Sequence, residues 1–363
     1  MTPSPISRQF ADFVTALSYE SLPEPGIDQL KTFFLDWLAS AFAGSRRKPV
    51  TLIRDMIRTM GGTPEAVMIP GNTRTNCLFA ALANGASSHM VEMDDLHRES
   101  ILHPAAAIIP AVLAAAQRDH ASGKQLLAAL LSKNGFTGAT TILEGKRGFF
   151  RATSPEFNLG KCTAGLGENF MFMKNSLKYY ASCGHTHSAV EATIQALSNE
   201  DATVSDIASI HVRIYQAALD LLGDIKPHTP FGAKFNLPFC IATAAKFRQA
   251  GLDDFTMARL KDPDIAALMK RIILEGDDAL SREYPRKWAA RVEVRLNNGR
   301  ILQGRVDHPK GDPENPLSRE DLTGKFRTLT RDILDPGFAG VLIDRIMNLE
   351  NQPDVDSLLD TSP

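Results

Sequence analysis

The run "HPAAAIIPAVLAAAQRDHASG", His103 to Gly123, constrains the fold more than any other stretch. Wound into a helix, it is apolar around nearly its whole circumference. Such a helix needs neighbours on every side, so it predicts a buried element inside a helical bundle. Upstream, "IDQLKTFFLDWLASAFAG" places Leu30, Phe33, Phe34, Trp37, Leu38 and Phe42 at helical spacing, with Gly44 as a stop. "NCLFAALANGASSHMVEM" supplies small residues that let helices approach closely, and "GKQLLAALLSKNGFTG" reads as a further helix ended by a glycine turn. The pattern then changes. "TVSDIASIHVRIYQ" alternates as a half-buried strand, and Val292, Val294 and Leu296 lead through "NNG" to Ile301, Leu302 and Val306 as a β-hairpin. From Glu320 the chain returns to helix, and its tail from Asn351 reads as polar and frayed. The predicted class is mainly α with a smaller α+β domain. The divisions are 1–165 for the helical domain, 166–322 for an α+β lid, and 323–363 for helices returning to the first domain.

Immediately before the apolar helix lies "HMVEMDDLHRESILHP", which crowds His89, Glu92, Asp94, Asp95, His97, Arg98, Glu99 and His103 into sixteen residues. Neighbouring carboxylates repel, so one of Asp94 and Asp95 is expected to hold a proton near neutral pH. His97 and His103 titrate near neutrality unaided. His103-Pro104 stands where helix N-terminal amides point outward, which suits an anionic substrate. Such a set can take a proton from carbon and return one to a leaving group. The competing reading is a solvated helix-start loop whose acids cap amides. The spacing matches no metal-ligand pattern.

A second stretch, "KYYASCGHTHSAVEA", gathers Lys178, Cys183, His185 and His187 at the start of another helix. His187 can carry a proton and Lys178 can anchor an anion; alternatively the histidines cap or sit on the surface and Cys183 is a small buried hydrophobe. A third, "HPKGDPENPLSREDLTGKF", is a structured loop in which Lys310 and Lys325 can meet carboxylates. No dinucleotide or phosphate-binding loop and no H-E-x-x-H is present, so no cofactor is expected. The balance of 40 basic and 42 acidic residues excludes a general nucleic-acid binder. The four separated cysteines and the lack of an apolar signal or bilayer-length run point to a cytoplasmic protein with free thiols and no membrane partner.

These blocks together resemble the MmgE/PrpD family of 2-methylcitrate dehydratase, cis-aconitate decarboxylase and iminodisuccinate epimerase. "LDWLASAFAG", "GGTPEAVMIPG", the acid pair followed by His-Pro, "SCGHTHSAVEA", "AKFNLPFCIATA" and "VEVRLNNGRILQG" fall in the family's order. The resemblance implies a cofactor-independent lyase or isomerase working on a small polycarboxylate, in a cleft between a helical domain and an α+β lid, in a homodimer; hydro-lyases of propionate metabolism are among the members. It puts Asp94, His97, His103 and His187 in catalytic positions and Asp95, Lys178 and His185 in substrate-binding ones. It also implies a gap: "GKQLLAALL" passes directly into "SKNGFTGATT". In the family, a helical section carrying a catalytic histidine and a substrate-binding lysine intervenes there. The expectation is an internally shortened member, a lyase with impaired activity, with an epimerase or a non-catalytic remnant as the alternatives.

Overall fold

The structure is a computed structural model that describes residues 5–71, 73–131, 143–145, 149–154, 156, 158–168, 170–223 and 226–360. The "SKNGFTGATT" junction lies outside the described residues.

The helical part begins with α1 (Ile6–Ala16), α2 (Glu24–Gly44) and α3 (Lys48–Met60). A two-stranded ribbon of β1 (Ala66–Val67) and β2 (Arg74–Thr75) leads to α4 (Cys77–His89), which Asn76 caps by accepting from the Phe79 amide. Then come α5 (Pro104–Arg118) and α6 (Gly123–Leu131). Phe34, Trp37, Leu38 and Phe42 of α2 are all buried, and α2 packs on α4 and α5. Gly44 does more than end α2. A Cβ there would lie 1.9 Å from the Ser87 carbonyl oxygen, so the glycine is what lets α2 and α4 touch backbone to backbone.

The expectation that α5 is buried all round is corrected. Ile109, Pro110, Leu113 and Ala114 are buried against α2, α4 and α6, but Ala107, Ile108 and Ala111 face outward. The described neighbours cover one side of the helix only, which leaves the other apolar side bare. Leu78 and Leu82 on α4, and Leu52, Met56 and Met60 on α3, are likewise exposed.

The α+β part is a four-stranded sheet in the order β4-β3-β5-β6, formed by β3 (Ile207–Ile214), β4 (Ile272–Gly276), β5 (Ala290–Leu296) and β6 (Ile301–Val306). β3 pairs parallel with β4 and antiparallel with β5, and the predicted hairpin is β5–β6. Helix α7 (His187–Leu197) crosses β5 and β6, helped by Gly304, where a Cβ would meet the Ala192 carbonyl at 1.9 Å. Helix α8 (Leu237–Phe247) packs on α7, with Asn236 capping it through the Phe239 amide. The chain then returns: α9 (Arg319–Thr330) and α10 (Pro336–Met347) both lie against α2. The fold is thus mainly α with a smaller α+β part. The frayed tail is corrected too: Val355, Leu358 and Leu359 are buried, and Arg345 donates to the Leu358 carbonyl. No helix among the described residues is long and apolar enough to cross a membrane, and the four cysteines are free thiols.

Candidate active site

The acid-rich loop leaves α4 at His89 and enters α5 at Pro104. Three contacts pin it to distant parts of the chain. Leu96 and Ser176 pair through their backbones. Arg98 donates to Asp312 at 2.9 Å and to both oxygens of Glu314 at 2.8 Å. Asp95 accepts from the Ala105 amide at 3.0 Å, closing the first turn of α5, and from the Asn175 amide nitrogen at 2.8 Å. The loop therefore lies against residues 175–187, and the 308–315 loop closes over both: Leu177 N donates to Gly311 O, and Ser176 Oγ to Asp312.

Asp94 is the centre of the resulting cluster. Its side chain is fully buried. His89 Nδ1 lies 2.7 Å from Asp94 Oδ2, and His103 Nδ1 lies 3.4 Å from the same atom. The two imidazoles meet edge to face with centroids 4.9 Å apart. On the other side, the buried ammonium of Lys178 donates to Glu92 at 2.7 Å and stands 3.6 Å from Asp94 Oδ1. Behind this pair, Lys325 of α9 binds Asp36 of α2 and the carbonyls of Met93 and Lys178. Glu92, whose φ is 55°, occupies the left-handed region, an uncommon place for a residue with a side chain.

The electrostatics separate the two imidazoles. The hydrogen bond to Asp94 raises His89 above 6.5, outweighing its burial. Burial, reinforced by the Lys178 charge, lowers His103. Because a carbonyl oxygen only accepts, the 2.6 Å contact from His103 Nδ1 to Asp95 O places the proton on Nδ1 and leaves Nε2 with a lone pair. Burial pushes the Asp94 carboxyl up, but the His89 hydrogen bond and the positive charge of Lys178 outweigh it and hold the group at about 2. Asp95 is the member of the acid pair pushed up, to about 7. Its burial is the larger cause, opposed by the Ala105 amide, and the repulsion from Asp94 that sequence spacing suggests is a lesser one. Burial alone pushes Lys178 down, and the carboxylates of Asp94 and Glu92 reverse the sign.

The structure thus brings together Asp94, Asp95, His103 and Lys178 among the residues singled out from sequence. It does not bring His97 into the cluster. That imidazole contacts Ser100 Oγ at 2.7 Å and lines a separate cavity of about 240 Å³ with Lys174, Arg286 and Glu314. His185 is stacked on Trp288 at 4.0 Å, with Nδ1 bonded to the Tyr215 hydroxyl at 2.7 Å. Burial in this aromatic group lowers it to about 4. His187 is buried beside Tyr180, 3.2 Å from the Ser182 carbonyl; burial, and then the Lys178 charge, bring it to about 3. It stays neutral, within electrostatic reach of Lys178.

Three participants escaped sequence reasoning as site residues: His89, Glu92 and Lys234. His89 is the last residue of a helix, and only the turn after it swings the ring back onto Asp94, five residues on. Lys234 stands three residues before a helix that opens with the apolar run Leu237–Ala242, the one local signal of a buried lysine. His89, Asp94 and His103 offer three ligand atoms within 4.8 Å of one another. Against a metal, His103 Nδ1 is committed to the Asp95 carbonyl, and the Lys178 ammonium would face the incoming cation.

Comparison with known proteins identifies the family. Residues 8–131 match the MmgE/PrpD N-terminal domain and residues 180–350 the MmgE/PrpD C-terminal domain. The chain is 24% identical over 261 residues to a cis-aconitate decarboxylase of Aspergillus terreus, covering 67% of this chain and 53% of that protein. It is 30% identical over 158 residues to a 2-methylcitrate dehydratase of Cupriavidus necator, covering 40% of this chain and 32% of that one. It therefore spans about half the length of the decarboxylase. Residues 132–179 lie between the two family matches. With both family domains matched in order along most of its length, the chain belongs to the MmgE/PrpD family.

Proposed function

We propose that the chain is a cofactor-independent lyase acting on a small polycarboxylate such as 2-methylcitrate or cis-aconitate, working slowly because the helical section between its two family domains is absent. The observation that carries this reading is the divergence of two imidazoles across one carboxylate. His103, neutral with a free Nε2, is the base; His89, the stronger proton holder on Asp94, is the acid. In a dehydration, His103 takes the proton alpha to a carboxylate. The C–H electron pair becomes the new π bond, the C–O bond breaks, and His89 protonates the departing hydroxide to water. In a decarboxylation, His89 protonates the carbon that loses CO2. The His89 hydrogen bond, and then the Lys178 charge, keep Asp94 ionised, and that carboxylate favours the charged form of His89.

The impairment has its own support. Lys178, Lys234 and Lys325 are all engaged with protein oxygens, so the cluster offers no spare ammonium to a substrate carboxylate. The missing section would bring a lysine and a histidine. The exposed apolar sides of α3, α4 and α5 are the surfaces a second copy would cover, which supports a homodimer. The same observations favour the second reading, a non-catalytic remnant. An epimerase of an imino- or amino-dicarboxylate would use the same proton abstraction with no leaving group. A mass-spectrometric screen of polycarboxylates, with the native chain beside one carrying the missing section, tests these readings. Turnover that is weak in the first and strong in the second supports the proposal; no turnover in either refutes it.

A further inference from the structure

Two buried ammonium groups flank the acid loop in the same way. Lys325 donates to Met93 O and Lys178 O, both at 2.7 Å. Lys234, just before α8, donates to Val91 O at 2.8 Å and Ala181 O at 2.7 Å. Each lysine ties one carbonyl of the acid loop to one of the 178–181 segment, and the residue between the two tied loop carbonyls is Glu92. This is also the residue in the left-handed conformation, whose carboxylate must turn toward Lys178.

We infer that Lys234 is a positioning residue of the site: its ammonium, held between the carbonyls of Val91 and Ala181, fixes the acid loop against the 178–181 segment and so sets the Glu92–Lys178 contact. Lys325 has Asp36 as a counter-ion, but Lys234 has no carboxylate within ion-pair distance among the described residues; it lies over the Phe255 ring, 4.8 Å from its centroid. As a residue Lys234 is only 4% exposed. An apolar side chain would fill that space without the desolvation a buried charge costs. What the ammonium adds is a pair of charge-assisted bonds to two loops at once. Burial pushes Lys234 down to about 7, against the attraction of Glu92. The inference rests on reading the acid loop as the site, but its test reads loop geometry and needs no turnover.

The test uses the full 363-residue chain and two readouts: amide hydrogen exchange of the 89–103 peptide, and the His89 imidazole titration by NMR. In Lys234→Met, exchange of 89–103 should rise at least about tenfold while the β3 and β5 peptides stay protected, and the His89 titration should fall toward 6.5. Leu237→Ala, which opens a cavity at the fully buried start of α8, three residues from Lys234, but leaves both carbonyl contacts, is the control. It should leave His89 unmoved and change 89–103 by less than about threefold. Lys234→Gln keeps neutral N–H donors and should fall between native and Met. Equal effects of Lys234→Met and Leu237→Ala, or native exchange in Lys234→Met, would overturn the inference. So would complete unfolding of both the Met and Gln variants, which would make Lys234 a requirement of the whole fold.

Discussion

His89 and Asp94 meet at 2.7 Å across the end of one helix, and one partner is half exposed while the other is wholly buried. The contact favours the charged form of the imidazole and holds the carboxylate ionised. It also leaves the His89 edge turned away from Asp94 open to a ligand.

This contact makes stability depend on pH in two windows. The folded proton affinity of His89 is raised, so its contribution is complete below pH 6.5 and is lost as the pH climbs through the raised folded value. Asp94 is depressed, so its contribution is present above pH 3.8 and is lost as the pH falls toward 2. Asp94→Asn should cost ~2 kcal/mol at pH 6 and little at pH 2.5. Urea denaturation at both values checks this; an equal cost at each would contradict it.

Asp95 should behave in the opposite way. Its folded value is raised to about 7, so ionising it opposes folding increasingly from pH 3.8 to 7. Asp95→Asn keeps an oxygen for the Ala105 amide. Its melting temperature at pH 8 is expected to equal or exceed that of the native chain, in contrast to Asp94→Asn.

Lys178 stands between two buried carboxylates. Lys178→Met should cost ~3–5 kcal/mol, because it strands the buried Glu92 carboxylate without its counter-ion and leaves Asp94 with the imidazoles alone. Adding Glu92→Gln should recover part of that loss. A double variant as unstable as the sum of the singles would show that the pair is not coupled.

Much of this fold was legible in the sequence. Helical spacing located α2, small residues pointed to α4 and a continuous apolar run to α5, while period-two alternation located β3 and the β5–β6 hairpin, because each is a local property of one element. The bare side of α5 was not legible, since an all-apolar helix does not say whether its neighbours are present. The tail misled because Val355, Leu358 and Leu359 are spaced among polar residues that average them out. At the site, Asp94, His103 and Lys178 could be nominated from local crowding, but their meeting depends on contacts more than eighty residues apart, such as Lys178 with Glu92. His185 and His187 look alike in sequence. Trp288, a hundred residues later, captures the first, while the second packs on Tyr180 and meets the Ser182 carbonyl.

Close backbone packing gives a separate check on the helical part. Gly44→Ala would drive a Cβ against the Ser87 carbonyl, and a rigid backbone on each side cannot give way cheaply. A loss of ~3 kcal/mol is expected, at the upper end for overpacking. A change below the error of a denaturant midpoint would mean that α2 and α4 do not approach this closely.

The most direct test of the central claim, that His103 moves a proton on a polycarboxylate carbon, is deuterium incorporation from D2O into cis-aconitate or 2-methylcitrate, followed by NMR. The native chain should label the carbon alpha to a carboxylate slowly, and His103→Ala should be slower by at least about 100-fold. Equal labelling by the two proteins, or none by the native chain even with the missing section restored, would contradict the account.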